Sequence, residues 1–130
     1  MTTFASVRIV TDDLDRLVAF YEHVTGLTAT RPVPVFAEFR TTAGTLAISS
    51  SALTDKLYGA DVVRPADNHS AFLEFQVPDV DAEFDRLQDL DFLQKPTTMP
   101  WGNRSLVLRD PDGNLVNLFT PPNSVPTDRT

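Results

Sequence analysis

The sequence predicts an α+β fold in which one strand–helix–three-strand unit, βαβββ, is written twice. Three observations carry this reading. Asp13-Leu14-Asp15 and Asp79-Val80-Asp81 each stand close behind an apolar strand and open a stretch of helical periodicity. Short apolar or alternating runs follow each helix, with the length and period of strands. The last two runs are joined by Asp110-Pro111-Asp112-Gly113-Asn114, a tight-turn spelling. Neither half has enough core to stand alone, so the halves are expected to pack as one unit.

Residues 4–11, "FASVRIVT", alternate in part and read as the first strand. Asp12 or Asp13 can cap the helix that follows, and Asp15 favours its first turn. Leu14, Leu17, Val18, Tyr21 and Val24 recur at helical spacing, and Gly26 supplies a stop. Strands are expected near 27–31, 34–41 and 44–50, with Ala43-Gly44 turning between the last two. Residues 51–68 lack a clear period and suggest one short helical turn in an irregular connector. "SAFLEFQV", 70–77, is a strand. "PDVDAEFDRLQDL" is a helix that starts at Pro78 or Asp79, with Val80, Phe84, Leu87 and Leu90 on one side. A strand near 92–95, a proline-containing loop, and strands near 104–109 and 114–120 complete the second unit. The expected organisation is one domain over 1–121, made of repeats at about 4–50 and 70–120 joined by a connector at 51–69. Residues 122–130 read as a flexible tail.

The 130 residues are 42% hydrophobic and include nine Phe, one Trp and two Tyr, a globular composition. No apolar run approaches the roughly 18 residues of a membrane span, and the first residues lack a signal peptide's basic start and apolar stretch. There is no cysteine, which excludes disulfides and thiol chemistry. A cytoplasmic location is expected. The net charge of −7 repels phosphate backbones, so no nucleic-acid or membrane partner is expected, and the field favours a cationic ligand.

"DLDRLVAFYEHVTGL" resembles the first helix of the vicinal oxygen chelate superfamily, which includes glyoxalase I, ring-cleaving dioxygenases and bleomycin resistance proteins. "FLEFQVPDVDAEFDRL" is similar to its second-repeat counterpart. "PWGNRSLVLRDPDGNLVNLF" resembles its closing hairpin, most of all that of the metal-free bleomycin resistance proteins. The resemblance spans about 4–121. It implies two βαβββ modules forming a curled mixed sheet around a shared cavity, and a homodimer with clefts between protomers. It does not by itself imply a reaction, because one scaffold serves many chemistries.

Strand alternation separates the two sheet faces. Val7 and Ile9, Leu46 and Ile48, Leu73 and Phe75, and Val116 and Leu118 are expected beneath the helices. The opposite face then carries Arg8, Phe36, Glu38, Phe72, Glu74, Gln76, Asn117 and Phe119. Buried charges need partners or water, so this mixed face reads as a solvated cavity or a salt-bridged seam. Arg8 and Glu74 stand five residues before Asp13 and Asp79 and are expected to lie close enough to pair.

Metal-dependent members of the superfamily take one ligand from each of four strands, usually His or Glu. Carried onto this chain, those positions are Ser6, Ala47, Phe72 and Asn117. Two are weak neutral ligands and two offer no lone pair. His23 and His69 fall elsewhere. No metal or other cofactor is therefore expected, and no catalytic residue is assigned. Trp101 offers a flat face for a heteroaromatic or cationic ligand, or it plugs one end of the core.

The sequence thus reads as a metal-free protein that binds and sequesters a small, antibiotic-like organic molecule, with Arg8, Phe36, Glu38, Phe72, Glu74, Trp101 and Asn117 as the ligand-binding set. Two alternatives stay open. One is a metal-dependent glyoxalase- or dioxygenase-like enzyme, and the other a non-catalytic interaction module with a collapsed cavity.

Overall fold

The structure, a computed structural model, describes residues 1–122; the tail expected at 122–130 lies almost wholly outside them. The chain divides into two compact units, Met1–Asn68 and His69–Thr130. Each carries a four-stranded mixed sheet with a helix between its first and second strands. The twofold βαβββ pattern read from the sequence is the observed architecture.

In the first module, β1 (Ser6–Thr11) leads into α1 (Leu14–Thr25), then β2 (Thr30–Val33), β3 (Phe36–Arg40) and β4 (Thr45–Ser50). The strand order is β1-β4-β3-β2, with β1 parallel to β4 and the other pairs antiparallel. Asp13 caps α1 by accepting the Arg16 N–H, and Gly26 ends it in the left-handed region at φ 73°. Leu17, Val18, Tyr21 and Val24 are buried against Ala37, Phe39, Leu46 and Ile48, as the two periodicities require. Val7 departs from expectation. It is exposed, because α1 packs over β4 and leaves the edge strand β1 partly uncovered.

The second strand starts at Thr30, later than the spacing suggests. The Ala29 N–H is taken by the Glu22 carboxylate and the Leu27 N–H by the Thr25 hydroxyl. These bonds tie the segment to α1 and delay its entry into the sheet. The connector holds a full helix, α2 (Ser51–Tyr58), capped by the Ser50 hydroxyl on the Ala52 N–H. Thr54 is its one buried residue, so α2 has no apolar stripe to betray it in the sequence.

The second module repeats the plan with β5 (Phe72–Gln76), α3 (Val80–Arg86), β6 (Gln94–Thr98), β7 (Arg104–Arg109) and β8 (Leu115–Thr120), in the order β5-β8-β7-β6. Asp79 caps α3 on the Asp81 and Ala82 N–H groups. The helix is shorter than its apolar spacing implies. The Gln88 amide takes the Phe84 carbonyl, and the Leu90 N–H turns back to Leu87 in a tighter bond. Val80, Leu87, Leu106, Leu108, Val116 and Leu118 form the core. Both modules place a basic residue and a proline on the outer strand, Arg31-Pro32 in β2 and Lys95-Pro96 in β6, at an irregularity in the pairing. An edge tolerates the missing N–H, which is why β6 runs through Pro96 where a loop is expected. Among the described residues no helix is long and apolar enough to cross a membrane.

Candidate functional site

The second module contains a concavity of about 480 Å³ whose floor can be read from the strand register. Glu74 on β5 faces Asn117 on β8, Asn117 faces Val107 on β7, and Val107 faces Gln94 on β6. This single row crosses all four strands, and every member lines the concavity. Phe72 and Leu115, one pleat along, form a second, apolar row beside it. At about 4.8 Å per strand, the main row spans roughly 14 Å from the Glu74 backbone to that of Gln94. Polar groups therefore stand at its two ends, with Val107 between them.

Trp101 overhangs this floor from the loop between β6 and β7. The Gly102 N–H bonds the Met99 carbonyl, and the Met99 N–H bonds the Asn103 carbonyl. Pro100 presets the second turn position, and Gly102 takes φ 102°. A Cβ at Gly102 would meet the Pro122 side chain at 3.1 Å, so Pro122 packs closely against this glycine. The Asp110–Asn114 turn repeats the pattern: Gly113 N–H to Asp110 carbonyl, Asp110 N–H to Asn114 carbonyl, and Gly113 at φ 85°. Met99-Pro100-Trp101-Gly102-Asn103 and Asp110-Pro111-Asp112-Gly113-Asn114 are thus one turn type, a type I turn closed by a left-handed glycine. Trp101 sits where Asp112 sits. It is 70% exposed, so it is not a core plug. The shared Pro-Xaa-Gly-Asn spelling was the available signal for this loop.

Four of the seven expected ligand residues, Phe72, Glu74, Trp101 and Asn117, line this one concavity. The Asn117 Nδ2 donates to the Glu74 Oε2 at 2.9 Å, which fixes both side chains and the amide orientation. The Asn117 Oδ1 is buried and has no hydrogen-bond partner among the described residues. Leu93, Gln94, Ser105 and Val107 were not singled out from sequence. Their strands are amphipathic, but the irregular pairing around Pro96 hides which face Gln94 takes.

The other three lie in the first module. Arg8 and Glu38 flank Ala47 across β1-β4-β3, the row equivalent to Glu74–Asn117–Val107. Glu38 is bound by Arg40, with its Oε1 2.8 Å from Nη2 and 3.1 Å from Nε. The Arg8 guanidinium reaches the Tyr58 hydroxyl at 3.5 Å and lies 6.0 Å from the Tyr58 ring centre. Phe36 is half-buried opposite Ser49. Within its own module Arg8 meets Tyr58, and within its own module Glu74 meets Asn117.

The positions of the superfamily's metal ligands do not fit a divalent ion. Ala47 and Phe72 have no donor atoms, Ser6 is a neutral hydroxyl at a strand end, and Asn117 already binds Glu74. Among the described residues no three His, Cys, Asp or Glu side chains converge.

A second concavity, about 400 Å³, lies at the start of α3 between Asp81, Thr98 and Arg104. Arg104 grips Asp81 with two bonds of 2.7 and 3.0 Å and adds a third to Thr98. Those bonds hold the Asp81 carboxyl below its usual range, against the opposing effect of desolvation and with help from the Arg104 charge. They raise Arg104 in turn. Acid and base satisfy each other here, which leaves little charge for a ligand.

The comparisons agree with this architecture. A glyoxalase/bleomycin resistance protein/dioxygenase structure from Nocardioides is 24% identical, covering 92% of this chain and 83% of its own at a TM-score of 0.75. A glyoxalase-related enzyme from Fulvimarina pelagi is 20% identical over 94% of this chain and 90% of its own, at 0.76. A lactoylglutathione lyase from Agrobacterium tumefaciens is 22% identical over 92% of this chain and 94% of its own, at 0.71. These likenesses carry the fold alone. No curated protein is significantly similar. The family model of the Glyoxalase/Bleomycin resistance protein/Dioxygenase superfamily matches residues 3–118, and with the doubled βαβββ architecture this places the chain in that superfamily.

Proposed function

We propose that the protein binds a small organic molecule in the second module's concavity and sequesters it, with no metal and no bond broken. The observation that carries this reading is the lining. An exposed Trp101 and an exposed Phe72 stand beside a hydrogen-bonded Glu74–Asn117 pair, and among the described residues no lysine or arginine lines the hollow. Aromatic walls supply stacking area, and the single carboxylate favours a cation. An antibiotic-like natural product with a flat heteroaromatic part and a positive charge has this chemistry. The volume falls within the range of small-molecule sites. The proposal includes a cytoplasmic location and a homodimer, both of which rest on the sequence reading.

The competing reading is a metal-dependent lyase or oxidoreductase; a lyase is what the Agrobacterium tumefaciens structure above is named. It requires ligands that the four equivalent positions do not supply. Titration of a panel of cationic aromatic drugs, followed through the fluorescence of the single tryptophan, tests the proposal. Saturable quenching supports it. Absence of any response across the panel would favour an interaction module.

A further inference from the structure

We infer that the hollow selects planar cations that carry N–H donors, such as amidinium, guanidinium or protonated aminoheterocycle groups, joined to a flat apolar ring. The inference rests on the binding reading above and names the ligand class for the same site.

The argument starts at Glu74. Its Oε2 is held by Asn117 at 2.9 Å, so the carboxylate is a fixed acceptor and not a freely swinging charge. One carboxylate offers about four lone-pair directions, and this bond uses one. No other partner engages Glu74 among the described residues, and the residue is exposed. A group with two parallel N–H bonds can take both the Coulomb attraction and charge-assisted hydrogen bonds. A quaternary ammonium can take only the first. The neighbouring Asn117 adds a second reason. With Nδ2 committed to Glu74, its buried Oδ1 is an acceptor without a donor among the described residues. Turning the amide over would set two acceptors against each other, so the missing donor must come from outside the pair.

The register then places the rest of the ligand. From Asn117 the floor continues to Val107 and Gln94, about 10 Å away at two strand spacings. A flat apolar body over Val107, walled by Trp101 and Phe72, keeps the cation at the β5 end and brings its far edge to the Gln94 amide. The equivalent row in the first module cannot do this. Arg8 replaces the carboxylate, Ala47 replaces the amide, and Glu38 is already bound by Arg40.

The test uses the full chain and three phenyl probes of similar size: benzamidine, phenyltrimethylammonium and neutral benzamide. The single tryptophan gives one indole N–H resonance, whose shift reads occupancy without ambiguity. Benzamidine is expected to bind about tenfold or more tighter than phenyltrimethylammonium, the margin that hydrogen bonds to a charged acceptor supply. In Glu74→Gln, an exposed substitution that leaves the core intact, the two cations should converge. Equal affinities in the unaltered protein would overturn N–H selection while leaving the binding reading in place. A benzamidine preference that survives Glu74→Gln would also overturn it. No response to any probe would overturn both.

Discussion

Trp101 and Asp112 are equivalent residues, each third in a Xaa-Pro-Xaa-Gly-Asn turn with the same pair of backbone bonds. One turn presents an aromatic face and the other a turn carboxylate. Because Trp101 is largely exposed, Trp101→Ala should leave the melting temperature unchanged and weaken ligand binding by about 1–3 kcal/mol. Calorimetry on the same samples checks both. Asp110 is different: it is buried and accepts from the Asp112 and Asn114 N–H groups and the Asn114 amide. Asp110→Ala should cost about 2–3 kcal/mol in urea unfolding, because it leaves buried donors without partners. Asp81 makes a third case. Its folded pKa lies below the unfolded value, so its stabilising contribution is present above the ordinary carboxylate range. That contribution is lost as pH falls through the lowered value. Unfolding of Asp81→Asn and the unaltered protein should differ at neutral pH and converge in strong acid. The difference should be small, since more than half of the Asp81 side chain is exposed.

The elements were legible where one physical signal dominates. The α1 cap, to within Asp12 or Asp13, the buried stripe of α1, and the alternation of β3, β5 and β8 follow from residue type and spacing. Illegible parts have several weak causes acting together. β2 starts late because two α1 side chains claim the N–H groups ahead of it. The α2 helix buries only Thr54 and is held by polar bonds, among them one from the Ser51 hydroxyl to Asp12 that joins residues far apart in sequence. The role of Gln94 is hidden by the bulge at Pro96, which breaks the alternation that would have shown its face. At this scale the closing hairpin is the sharpest test. Gly113 holds φ 85° with open space around a would-be Cβ, so Gly113→Ala meets backbone strain and no clash. It should lower stability by about 1 kcal/mol, measured by thermal unfolding, with the fold retained.

At the scale of the molecule, the two modules differ in the row that crosses each sheet. Arg8–Ala47–Glu38 in the first repeat corresponds to Glu74–Asn117–Val107 in the second, and the second floors an open hollow whose carboxylate is bound by the neutral Asn117 amide. Arg8, Ala47, Glu38, Glu74 and Asn117 of these rows were readable from the sequence, and Val107 was not. Which half would carry the site was not, because α2 and the Tyr58–Arg8 contact give no periodic signal. The central claim is that the hollow holds its guest without an ion. The most direct measurement is the affinity for a cationic aromatic ligand, read at Trp101, before and after exhaustive chelation, with metal content determined on the same protein. The account predicts one unchanged affinity and no stoichiometric transition metal. A bound metal in unit stoichiometry whose removal abolishes binding would contradict it.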